Sequence, residues 1–222
     1  MEVAEARAEG ASEDVQRDLA KVTAREWLER FEVKVGESPL KHGWEGGNLE
    51  DGKIDFQYLR QKENTFMRSR WLVDTESNAL KRNLSWDTKR FPLLRWRWRV
   101  QKFPTGARVL EGSKSDAAAQ VYVLWKGTPT YYVLKYFWAA EDKVGTLLEQ
   151  STLFLGKLRG LVIRSGGKAD EWRTETRNVH ADFIKYFGGE PPGNVKGFAI
   201  LSDADETKTQ SEADYDDFEI LR

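Results

Sequence analysis

Two carboxylates two positions apart, Asp203 and Asp205, stand in Ser202-Asp203-Ala204-Asp205-Glu206-Thr207, directly after the apolar run Phe198-Ala199-Ile200-Leu201. On extended backbone, residues i and i+2 share a face, so this pair points one way, and Asp182 is a candidate third member. Calcium takes six to eight oxygens at about 2.3–2.6 Å from carboxylates and carbonyls, and these three side chains suit a structural calcium. The ordinary reading is a polar turn closed by Asx-type bonds. It is preferred because no spaced calcium-loop pattern is present. The cofactor expectation is none, with a structural calcium as the exception.

Acid–base chemistry has its own candidates in Asp116, Glu171, Glu175 and Asp182. Glycoside hydrolysis needs two carboxylates roughly 5–9 Å apart, and nothing in the chain fixes such a distance. With 36 acidic residues, some pair always looks suitable. The only histidines are His42 and His180. They lack the spacing of a metal pair, and no Gly-x-Ser-x-Gly elbow accompanies them. No catalytic residue is assigned, and whether the chain is an enzyme stays open, with binding preferred.

Binding has more material. Arg95, Arg97 and Arg99 alternate with Leu94, Trp96, Trp98 and Val100. That period of two is a half-buried strand with arginines on one face. An arginine ladder clamps carboxylate, sulfate or phosphate. The ordinary alternative is a solvated face neutralised by acids on neighbouring strands, and it is favoured. Trp44, Trp86, Trp125, Trp138 and Trp172 lie near turns or strand ends. They serve a sugar platform, a protein interface or the core.

The elements that position these residues follow from the rest of the chain. It has 222 residues and a net charge of −1, with 35 basic against 36 acidic residues. No global field draws it to nucleic acid or an acidic membrane, and nucleic acid is not an expected partner. There is no cysteine, which excludes disulfides and thiolate sites. No transmembrane segment or secretory leader is seen in the sequence as given. The expected location is cytoplasmic, or periplasmic if a leader was removed.

Residues 1–11 are small and acidic and are expected to be mobile. Ser12 caps a helix over roughly 12–26, with Glu13 and Asp14 in its first turn, and Val15, Leu19 and Val22 on one face that Trp27 and Phe31 extend. Such an arm is held by docking, on its own domain or on a partner. Strand signals then run through Phe31-Val33-Val35, Ile54-Phe56-Tyr58 and Trp71-Val73. They continue in a hairpin of Val121–Trp125 with Tyr132–Trp138 across Lys126-Gly127-Thr128-Pro129, then Leu161–Arg164, Trp172–Val179, Phe198–Leu201 and Phe218–Ile220. Asp182–Phe187 is a short helix stopped by Gly188. Strands joined by turns without a βα alternation argue an all-β, antiparallel β-sandwich of the jelly-roll type with a short N-terminal helix. The expected division is an arm, 1–26, and a sandwich domain, 27–222.

Several short motifs occur in a fixed order: Trp96-Arg97-Trp98-Arg99-Val100; Lys114-Ser115-Asp116 through Gln120-Val121-Tyr122-Val123; Tyr136-Phe137-Trp138-Ala139; Arg177-Asn178-Val179; Asp182; Phe187-Gly188; and Ser202 to Thr207. Over residues 28–222 the chain resembles the bacterial family known as domain of unknown function 3047. The resemblance implies a β-sandwich akin to jelly-roll carbohydrate-binding modules and no established activity. The family pattern has an arginine where this chain has Gln120, and Asp-x-Asp-Asn-Thr where it has Asp203-Ala204-Asp205-Glu206-Thr207. The favoured role is a non-catalytic accessory or structural subunit docking on a larger protein assembly. The alternative is a carbohydrate-binding module with a glycan partner, and a glycoside-active enzyme is the minority reading. The candidate binding set is Arg95, Arg97, Arg99, Trp44, Trp125, Trp138 and Trp172; the candidate metal set is Asp203, Asp205 and Asp182.

Overall fold

The structure is a computed structural model and describes residues 13–47, 55–71, 77–152 and 156–222. The expected mobile tail 1–11, the Ser12 cap, Ile54 and Val73 lie outside the described residues. The described elements are α1 (Glu13–Leu19), β1 (Arg25–Glu29), β2 (Trp44–Gly46), β3 (Phe56–Gln61), β4 (Asn64–Arg70), β5 (Leu80–Trp86), β6 (Leu93–Lys102), β7 (Ala119–Lys126), β8 (Tyr131–Ala139), β9 (Leu147–Thr152), β10 (Gly156–Ser165), β11 (Arg173–Asn178), α2 (Val179–Phe187), β12 (Val195–Leu201) and β13 (Glu212–Leu221).

They form a β-sandwich of the jelly-roll type. One sheet has the order β11-β6-β13-β4-β3, with β1 beside β13; the other has the order β2-β5-β12-β7-β8-β10-β9. Consecutive strands repeatedly change sheet, as in β4-β5-β6-β7 and β11-β12-β13. Pairing is antiparallel except between β8 and β10, which run parallel. Strand β6 explains the sandwich. Its Leu94, Trp96, Trp98 and Val100 are buried in the shared core, and its arginines face out. From the second sheet, Val121, Val123 and Trp125 of β7 and Leu134, Tyr136 and Trp138 of β8 meet them. Helix α2 is capped by Asn178, whose side chain accepts from the Ala181 amide at 2.9 Å. It ends at Gly188, which adopts the left-handed conformation (φ 79°) that glycine tolerates.

The N-terminal helix stops at Leu19, short of the expected residue 26. The amides of Thr23 and Ala24 donate to the Arg222 carbonyl, and the chain then pairs along β13 as β1. A strand bond made by the chain's far end thus overrides the helical spacing. Val15 is buried, and Asp18 accepts from Asn178 at 3.1 Å, so the described part of the arm docks on its own domain. Trp27 leaves the helical face it was expected to share and stands out from β1, 42% exposed. Phe31-Val33-Val35 forms no ladder; Phe31 is buried at a positive φ of 54°.

Candidate functional site

The outer face of the second sheet is built by the hairpin β7–β8. Its register sets Gln120 opposite Phe137 and Tyr122 opposite Lys135. Because Val121 and Val123 point into the core, Gln120 and Tyr122 point away from it, and so do Lys135 and Phe137. The connection between β6 and β7 folds over one end of this face. There Val109 and Ala117 pack with Phe137, Ala139 and Val162 in a small second cluster. Gly160 lies beneath Phe137, where any Cβ would overlap the ring.

That packing delivers Asp116 to Asp203 and Asp205. Each of the three offers a carboxylate oxygen within 4.8 Å of the others. Backbone and side-chain donors fix them. Asp116 accepts from the Thr207 amide at 2.7 Å, the Thr207 hydroxyl at 2.6 Å and the Glu206 amide at 3.1 Å. Asp203 accepts from the Ala117 amide at 2.7 Å and from the Gln120 amide group. Asp205 accepts from the Ser77 amide at 2.9 Å. The Tyr122 hydroxyl donates to the Gln120 carbonyl oxygen at 2.8 Å, which extends the network along the sheet. The Lys135 ammonium sits 4.7 Å from the centre of the Tyr122 ring and 4.6 Å from that of Phe137.

Burial dominates the electrostatics. Desolvation pushes the Asp203 carboxyl up to about 6, against the opposing pull of Lys135 and its two donors. It lowers Lys135 to about 8, against the pull of Asp203, Asp205 and Asp116. Desolvation also pushes Asp216, in the other sheet, up to about 6. Asp203 therefore binds a proton more readily folded than unfolded. Its contribution to stability grows as pH falls from about 6 towards the unfolded value of 3.8. Urea unfolding of wild type and Asp203→Asn at pH 7 and pH 5 checks this. Acidification should favour wild type over the variant by on the order of 1 kcal/mol, and an unchanged difference would refute the assignment.

Asp182 is not part of this cluster, contrary to the sequence expectation. It lies on α2 and accepts from the Tyr136 hydroxyl at 2.7 Å and from Arg177 at 2.8 Å. As a calcium site, Asp116, Asp203 and Asp205 fit poorly. Their oxygens already accept from six N–H and O–H donors, and a lysine supplies the local counter-charge.

The arginine stripe is matched along its length by acids of β13. Arg95 pairs with Glu219. Arg97 pairs with Asp216 and, at 2.8 Å, with Asp217. Arg99 pairs with Asp214 at 2.7 Å and with Asp170 at 2.8 Å. Trp172 joins them, with the Arg99 guanidinium 4.7 Å and that of Arg97 5.2 Å from its ring centre. The structure thus brings Arg95, Arg97, Arg99 and Trp172 together on one face, as a charge-compensated ladder. It removes Trp44, Trp125 and Trp138 from any surface, which corrects their place in the binding set. Trp44 stacks on Phe31, Trp125 packs on Phe183, and Trp138 packs on Trp98. In-strand alternation overrides their nearness to turns. His42 and His180 bond separately, to Glu37 and Thr88.

Sequence reasoning missed Lys135 and Tyr122 as site residues and left Asp116 among the acid–base candidates. The signal was available: in Tyr132-Val133-Leu134-Lys135-Tyr136, the lysine interrupts a strand of core residues.

A jelly-roll sandwich with a lysine-balanced carboxylate cluster on one outer face is the class of protein that fold and site define. The chain belongs to the family described as "Protein of unknown function (DUF3047)", whose model matches residues 42–219. Gln120 and Glu206 both contact the cluster, Gln120 through Asp203 and Glu206 through Asp116. No curated protein matches it. Among solved structures it is similar to the xyloglucanase domain of NopAA, a type three effector from Sinorhizobium fredii (11% identity, 77% of this chain and 90% of that one, TM-score 0.41). It is also similar to Trichoderma harzianum endoglucanase 3 from family GH12 (9% identity, 91% and 98%, TM-score 0.44). A third is the K2 cleaved adhesin domain of Lys-gingipain (14% identity, 90% and 98%, TM-score 0.46). Among the described residues, no helix is long and apolar enough to cross a membrane.

Proposed function

We propose that the chain is a non-catalytic binding module that holds a glycan on the outer face of its second sheet, at Tyr122, Lys135 and the three carboxylates. The observation that carries this reading is the setting of Lys135. It stands mid-sheet on an outer face, its ammonium against two aromatic rings, and among the described residues no carboxylate lies within ion-pairing distance. A lysine on an ordinary solvated face extends into water. Here a donor, a ring and a set of fixed acceptors converge. A sugar uses all three, with its CH face on the ring and its hydroxyls on Lys135 and the carboxylates. Asp116 and Asp203 are engaged by loop donors, which suits pre-organised binding better than proton transfer.

Calorimetric titration with a panel of neutral polysaccharides tests the reading. Tyr122→Ala should weaken binding about ten-fold, an aromatic contact being worth about 1.4 kcal/mol, and Lys135→Ala should weaken it comparably. Wild-type affinity in both variants would overturn the site. Lys135 serves as the counter-charge in place of calcium, so chelation with EDTA should leave the melting temperature unchanged; a drop would assign a metal to the cluster.

A second reading, an accessory subunit docking on a larger assembly, is favoured by Trp27. It is exposed, it carries the Arg30 guanidinium 5.0 Å from its ring centre, and it sits on β1, whose one strand partner among the described residues is β13. Tryptophan and arginine anchor protein interfaces. Co-purification of a stoichiometric partner with wild type, and its loss with Trp27→Ser, would establish that reading.

A further inference from the structure

In β7 the run Val121-Tyr122-Val123-Leu124-Trp125 carries no charge. An unbroken apolar run is the pattern of a strand covered on both faces. Val121, Val123 and Trp125 supply the sandwich core. Tyr122 and Leu124 face the other way.

Strand register assembles this outer face into rows. One row is the proposed glycan site, where Tyr122 stands opposite Lys135 and Lys135 lies beside Gly160. The next row, about 7 Å along the strands, sets Leu124 opposite Val133 and Val133 beside Leu158. It is aliphatic on three adjacent strands, about 10 Å across. Val133 is 9% exposed, and Leu124 and Leu158 are half-buried. None of the three belongs to either apolar cluster of the described residues. Two positions from Val133 along β8, Tyr131 stands exposed on the same face. The solvated face of an antiparallel sheet ordinarily carries polar side chains. Here the face is divided along its strands, with donors and acceptors at one end and hydrocarbon at the other. A ligand complementary to both ends has sugar hydroxyls and, directly joined to them, an apolar chain.

We propose, resting on the glycan reading above, that the glycan held on this face is a glycolipid whose hydrocarbon chain lies across Leu124, Val133 and Leu158. The full chain, ¹³C-labelled at leucine and valine methyl groups, is titrated with n-hexyl and with methyl β-D-glucopyranoside. Leu124→Thr and Leu158→Thr assign the two leucine signals. The hexyl compound should move both signals saturably and bind about ten-fold tighter than the methyl one, the effect of covering about two methylenes. Each threonine variant, which keeps a strand-forming side chain, should cut that preference about three-fold and leave the affinity for the methyl compound unchanged. Lys135→Ala should weaken both compounds alike. Equal affinity for the two glucosides, no binding of the hexyl one, or a hexyl preference kept by both threonine variants would overturn the inference. Polysaccharide binding by wild type would in each case leave the glycan reading standing. Hexyl binding untouched by Lys135→Ala would overturn both. A dimer of wild type in sedimentation that both threonine variants lose would assign the row to a second copy of the chain and overturn the inference alone.

Discussion

Replacing Asp214 by alanine should lower the melting temperature by about 10 °C. Asp214 is fully buried in β13. It accepts from Arg68 at 2.6 and 2.9 Å, from Arg99 at 2.7 Å and from Gln101 at 3.1 Å. Removing one partner of a buried pair leaves an uncompensated charge and costs about 3–5 kcal/mol. For a chain of this size, each kcal/mol shifts the midpoint by about 2–4 °C. Arg99 keeps Asp170 and Arg68 keeps Glu212, which places the loss nearer the lower end. The exposed pair Arg17–Asp14 gives the contrast. Arg17→Ala should cost less than about 0.5 kcal/mol. Thermal unfolding of both variants by circular dichroism checks the pair; equal midpoints would mean that the arginine face is solvated rather than locked.

Trp96→Ala should be comparably damaging, at about 3–5 kcal/mol. The ring is wholly buried and lies 5.7 Å from Tyr136, 6.3 Å from Phe218 and 5.4 Å from Trp98, centre to centre. These contacts join β6 and β13 of one sheet to β8 of the other, so the cavity opens where the sheets meet. The Trp96 indole nitrogen has no hydrogen-bond partner among the described residues. Trp96→Phe should therefore cost much less than alanine, because the phenyl ring fills most of the space and removes an unmet donor. Urea unfolding of the two variants decides it. A phenylalanine variant as unstable as the alanine one would show that the indole nitrogen is bonded after all.

The sandwich was legible wherever one strand face is buried and the other is not. Strand β6 and the hairpin β7–β8 announce themselves by alternation, and α2 by the glycine that stops it. Strands β4, β5 and β9 gave no such signal. In β4, Arg68 and Arg70 make the segment look like a loop, yet Arg68 faces out to meet Asp214. That partner lies far along the chain and cannot be seen from local pattern. The same limit governed the cluster. Asp203 and Asp205 share a face by spacing alone, but the third carboxylate depends on how the β6–β7 connection folds over the sheet. That fold selects Asp116 and sends Asp182 to Arg177. The tryptophans near turns were misplaced because turn proximity says nothing about the side of the sheet to which a residue points. For Trp125, opposite Tyr132 and Val195, that side is the core.

The most direct measurement on the proposed glycan face is the titration of Lys135 itself. Lysine amines are reductively ¹³C-methylated, and the Lys135 signal is assigned through Lys135→Arg. Its midpoint should fall near the value of about 8 that burial against the two rings imposes, and a polysaccharide bound by wild type should shift that signal. A Lys135 amine that titrates like an exposed lysine and ignores every bound polysaccharide would contradict the account.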